Sequence, residues 1–114
     1  MERDDRDLLI TAAWLFARHG QYRRARVLCE ALVEGDPKDG VPALAAAELM
    51  LADGDAQNAL STIRRTKCPE SLAREGALLE SRALAMLGRR EESARRWKRY
   101  LATEKGEKRA WVVS

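Results

Sequence analysis

The segment HGQYRRA, His19 to Ala25, decides the fold, because its elements return twice at one spacing. Gly20, Gln21 and Tyr22 lie between two apolar runs; Gly54, Asp55, Ala56 and Gly88, Arg89, Arg90 follow at intervals of 34 residues. Before each glycine stand roughly a dozen residues of helical pattern, and five positions after it stands a small residue: Ala25, Ala59 and Ser93. A helix end calls for positive φ at the residue that breaks it, which glycine adopts without a Cβ clash. The small residue marks where the second helix crosses the first closely. The unit is therefore an antiparallel helix pair, present three times, and a period of this length is that of a stacked repeat array.

Composition agrees. A chain of 114 residues is long enough for one domain with a core. It is rich in alanine, leucine, arginine and glutamate, with 5% aromatics, which favours helix nearly throughout. The units span about 6–39, 40–73 and 74–107, with a short tail at 108–114, all in one domain, 1–114.

Within each unit the apolar positions predict the packing. Leu9, Ala12, Ala13 and Phe16 form the stripe of a first helix, about Asp7 to His19, that faces its partner; Ala43, Ala46, Ala47 and Met50 take the same places in the second unit. Ala25, Leu28, Cys29 and Leu32 face inward from the second helix, which Gly35, Asp36 and Pro37 stop. The partner helix of the second unit carries Ala59, Leu60 and Ile63 and fails early, at Thr66 to Pro69. In the third unit a helix from about Ser71, as N-cap, to Leu87 precedes one from Arg90 to about Thr103, with Ser93, Ala94, Trp97, Tyr100 and Leu101 inward. Glu80 and Ser81 stand where the other units have alanines. No room remains for a closing helix, and Trp111, Val112 and Val113 are apolar residues that either fold back onto the last helix or meet a partner.

A second stripe on the first helices carries the functional expectation. It consists of Ile10, Trp14 and Ala17 in the first unit, Val41, Leu44, Glu48 and Leu51 in the second, and Leu78, Arg82, Ala85 and Met86 in the third. A groove that grips a carboxylate needs several cations and amides, because charge-assisted hydrogen bonds must replace water. Arg82 is the one basic residue here and no asparagine joins it, so the stripe suits the apolar face of an amphipathic helix. Trp14 is the strongest candidate anchor, since tryptophan is enriched among binding hot spots.

Charge and motifs exclude other classes. The net charge of +3 conceals nine basic against four acidic residues from Arg89 to Arg109. Glutamates interrupt that run, and its aromatics, Trp97 and Tyr100, fall on the inward stripe, so a solvated face or a docking surface for an acidic protein is expected and nucleic acid is not. His19 is the one histidine, Asp53 and Asp55 read as turn residues, and no metal-ligand spacing, phosphate loop or nucleophile motif is present, so neither catalysis nor a cofactor is expected. Cys29 and Cys68 lack a paired spacing and read as free thiols; with no secretory signal or bilayer-spanning run, the expected location is the cytoplasm.

Tyr22, Ala25, Pro37, Gly54, Ala59 and Gly88 match consensus positions of tetratricopeptide repeats, and the chain resembles that family over about Asp7 to Glu107. The run LLITAAWLFARHGQYRRARVLCEALVEGDP, Leu8 to Pro37, is similar to the small three-repeat chaperones of bacterial type III secretion, most of all the Y-type chaperone, with the G-type needle-subunit chaperone second. The resemblance implies an all-α fold, a right-handed array of three tetratricopeptide helix pairs forming an α-solenoid. It also implies a chaperone without cofactors or membrane insertion that holds a small secretion-system protein in a heterodimer through an amphipathic helix and presents it to the export gate. The alternative is a generic tetratricopeptide scaffold or self-associating assembly subunit.

Overall fold

The computed structural model describes the backbone of residues 3–113 and the side chains of residues 5–103. These residues form six α-helices and one short 3₁₀ turn, with no strand among them. The helices are α1 (Arg3–Arg18), α2 (Tyr22–Gly35), α3 (Gly40–Ala52), α4 (Ala56–Arg65), α5 (Ala73–Met86) and α6 (Arg90–Val113), with the 3₁₀ turn at Glu70–Leu72. Each helix packs on the next in chain order. Among the described residues α1 also touches α3, and α3 touches α5, whereas α2 does not touch α4 nor α4 touch α6. The odd-numbered helices are thus drawn together on one side of the row.

The three glycine turns are built identically. Gly20, Gly54 and Gly88 have φ of +76°, +82° and +79°. After α1, the Gln21 amide donates to the Phe16 carbonyl at 2.8 Å and the Gly20 amide to Ala17 at 3.0 Å; Asp55 to Met50 and Arg89 to Leu84 repeat the longer link. This is the double bond of a Schellman end, which satisfies carbonyls that the helix leaves open. Asp55 then starts α4, its carboxylate accepting from the Asn58 amide at 3.4 Å and from Asn58 Nδ2 at 2.7 Å. Those bonds, followed by Arg26, hold the Asp55 carboxyl below its ordinary range. Asp39 caps α3 through the Val41 amide at 3.1 Å.

The core runs along the close helix crossings. Ala13, Ala25, Ala47, Ala59 and Ala83 are fully buried, with Leu84 and Cys29 among the larger side chains enclosed there. Burial pushes the Cys29 thiol up to about 11, and Glu30 adds to this. Cys68 is exposed, and both cysteines are free.

Two helix boundaries and one inward position differ from those the sequence predicts. α5 begins at Ala73, not Ser71, because Pro69 opens a 3₁₀ turn closed by the Leu72 amide on the Pro69 carbonyl at 2.9 Å; the N-cap is Leu72, without a side-chain cap. α6 continues past Thr103 to Val113, through the segment assigned to a tail. Ala94, expected to face inward, is exposed on α6, whereas Ser93, Trp97, Tyr100 and Leu101 are half-buried. The side chains of Trp111, Val112 and Val113 lie outside the described ones.

The third unit carries a polar flaw. Ser81 occupies the position of Ala13 and Ala47, and it is 8% exposed with its hydroxyl lacking any hydrogen-bond partner; its carbonyl accepts from Ser93 Oγ at 2.7 Å. A buried, unsatisfied hydroxyl costs on the order of 1–3 kcal/mol. Ser81→Ala is therefore expected to raise stability by about 1 kcal/mol, read as a melting temperature higher by a few degrees, about 3–5 °C for a domain of this size. An unchanged or lowered melting temperature would show that the hydroxyl is satisfied in solution.

Candidate functional site

The repeat period places residues 14, 48 and 82 at one level of the three odd-numbered helices, and the structure brings these side chains to one depression. It measures about 290 Å³ and is lined by Trp14, Ala17, Arg18, Tyr22, Glu48, Leu49, Ala52 and Arg82. Trp14, Glu48 and Arg82 thus present an aromatic ring, an anion and a cation in a row across the inner side. Neither Glu48 nor Arg82 forms an ion pair with a described residue.

Local packing explains what is left exposed. On α1, Ala13 supplies the close contact, so the ring one position later turns out of the core and Trp14 remains 39% exposed. On α5 the residues Leu78, Arg82, Ala85 and Met86 lie at spacings of four, three and one and make one exposed stripe, with Leu78 at 44% and Met86 at 49%. This is a patch of large apolar side chains around one guanidinium. Ile10 and Val41 are half-buried and do not line the depression.

Three residues expected in the groove are core instead. Leu44 and Leu51 are buried because α3 has α1 and α5 on its two sides as well as α2 and α4 against it; ten of its thirteen residues are buried. Ala17 is also buried, forming the floor beneath Trp14. The surface therefore consists of Trp14, Leu78, Arg82, Ala85 and Met86, with Glu48, Arg18, Tyr22 and Ala52 completing its outline. Arg18, Tyr22 and Ala52 were not among the residues expected here, although Arg18 and Ala52 stand two periods and one period before Met86.

The structure also exposes Leu8, Leu15 and Val27 on the outer side of the first unit. The period could have found two of these. Leu8 and Leu15 correspond to Pro42 and Leu49, both buried, and the preceding unit that buries them has no counterpart before α1 among the described residues.

Two cations of the basic face, Arg89 and Arg96, are held in ion pairs. Arg89 pairs with Glu92 at 2.7 Å, and Arg64 and Arg96 flank Glu80 at 3.3 and 2.7 Å. The Arg89 hydrogen bond leads the effects that lower the Glu92 carboxyl. Among the described residues no three histidine, cysteine, aspartate or glutamate side chains gather where they could hold one metal ion, and no helix is long and apolar enough to cross a membrane. No protein-family model matches this chain, and no curated protein matches it either.

Proposed function

We propose that this chain is a tetratricopeptide array, three helix pairs wound right-handedly, that serves as a cytoplasmic chaperone of a bacterial type III secretion system. In this reading its inner surface holds an amphipathic helix of a small export substrate in a heterodimer, and the pair presents that substrate to the export gate. The support is the likeness of Leu8–Pro37 to the Y-type chaperone, and one observation carries it: exposed Trp14 lines one depression with Arg82, and Leu78 and Met86, four residues to either side of Arg82 on α5, are exposed as well. Exposed apolar side chains gathered on one surface mark an interaction site. A ligand helix would set its apolar anchor on Trp14, a cation near Glu48 and an anion near Arg82.

Light scattering of the chain alone, and of the chain co-expressed with each neighbouring small reading frame of its operon, tests this. The expected result is a one-to-one heterodimer with a chain that is insoluble alone. A homo-oligomer of this 12.8 kDa chain, indifferent to those neighbours, would instead favour the self-associating scaffold, for which the apolar edge of Leu8, Leu15 and Val27 speaks.

A further inference from the structure

The first helix pair shows how this fold seats the start of a following helix. Arg6 Nη1 donates to the Asp39 carboxylate at 2.7 Å, and Asp39 is the N-cap of α3. Arg6, Leu32 and Gly35 line that niche with Asp36, Asp39 and Pro42, and it is nearly closed, at about 30 Å³. Beneath α3, Cys29 and Leu32 are buried.

Two periods further along, the same positions are Arg74, Tyr100 and Thr103. They line a cleft of about 770 Å³ together with Cys68, Glu70, Ser71, Ala73, Arg96 and Arg99. The counterparts of Cys29 and Leu32, Trp97 and Tyr100, are only half-buried, their rings 5.3 Å apart. The difference follows from the backbone. α2 stops at Gly35 and the chain turns back into α3, whereas α6 runs on as helix to Val113 and makes no such turn. The cleft is the niche of the first pair without its following helix, and it has gained charge: Arg74 and Arg99 line it with Glu70, and Arg96 is held by Glu80.

We propose that this cleft binds the start of a helix from a protein partner, with an aspartate or glutamate at that helix's N-cap seated on Arg74 and Arg99 as Asp39 is seated on Arg6. The next turns of the partner, small and apolar like those of α3, cover Trp97 and Tyr100. This site lies at the opposite end of the row from Trp14 and does not depend on the inner groove.

The probe is the chain's own α3 start as a synthetic peptide, DPKDGVPALAAAELM (residues 36–50), labelled at its C-terminus and titrated with the full-length protein by fluorescence anisotropy. Binding is expected to weaken roughly tenfold when the peptide carries the Asp39→Asn change, and roughly tenfold in the Arg74→Glu protein, with no further loss when both changes are combined. Trp14→Asp is expected to leave this binding unchanged, which separates the site from the groove. Absence of binding up to millimolar peptide overturns the proposal, as does equal affinity for the native and the Asp39→Asn peptides. Displacement of the peptide by a short single-stranded RNA as readily as by unlabelled peptide would make the cleft a phosphate site and would also overturn it.

Discussion

Trp14→Asp is expected to abolish capture of the partner helix, if the chain acts as proposed, while leaving the helical circular dichroism intact. The ring is 39% exposed and the core beneath it is filled by Ala13 and Ala17, so its loss opens no large cavity. At a helix-in-groove interface an aromatic anchor is worth about 2–4 kcal/mol, or roughly thirty-fold to a thousand-fold in affinity. The new carboxylate would stand in the depression that Glu48 already lines, so a like charge is added to a lost contact. Leu15→Asp is the matched control, since Leu15 is 52% exposed on the same helix but does not line the depression. Pull-down from co-expressing cells, with circular dichroism of each purified variant, reads both. Loss of helical signal together with binding would make Trp14 a core residue, and equal loss in both variants would move the site to the outer edge.

The parts of this molecule that could be read from its sequence are those fixed by local rules. Gly20, Gly54 and Gly88 adopt positive φ because the Schellman end demands it, and that demand shows in a one-dimensional pattern. The close crossings at Ala25 and Ala59 are legible for the same reason, as only a small side chain fits there. Leu44 and Leu51 were not legible as core, since a helical stripe does not say how many neighbours a helix will have. The clue was present in GVPALAAAELMLA, which is apolar nearly all round, the mark of an enclosed helix. The end of α6 was illegible for another reason. The sequence holds no stop signal near Thr103: α2 is halted by Gly35–Asp36–Pro37, whereas no proline follows Thr103, and helix-favouring lysine and glutamate flank Gly106. Ser71 failed as a cap because Pro69 governs the turn two residues before it.

A change at Gly40 is expected to cost more stability than its place at a helix start implies. Glycine there is usually unfavourable, and replacing it with alanine in a helix gains roughly 0.5–1 kcal/mol. Here the first residue of α3 lies against the link between α4 and the 3₁₀ turn. A Cβ on Gly40 would stand 2.6 Å from the Lys67 carbonyl oxygen and 2.9 Å from Pro69 Cδ, and neither backbone nor a ring can swing aside as a flexible side chain does. Relief requires α3 to move away from that link, yet α3 is packed against α2, α4, α1 and α5. Overpacking of this kind costs about 1–3 kcal/mol, which outweighs the gain in propensity, so Gly40→Ala is expected to lower the melting temperature by roughly 5–10 °C and Gly40→Val by more. Gly35→Ala is the comparison: no atom lies within 4 Å of its Cβ position, its φ is not positive, and its melting temperature should hold or rise slightly. If Gly40→Ala melted with Gly35→Ala, the α4 link would be standing off α3 in solution. A selective loss at Gly40 would show that the middle helix, which stands between the helices of Trp14 and Arg82, is gripped at its start by the chain that leads into α5.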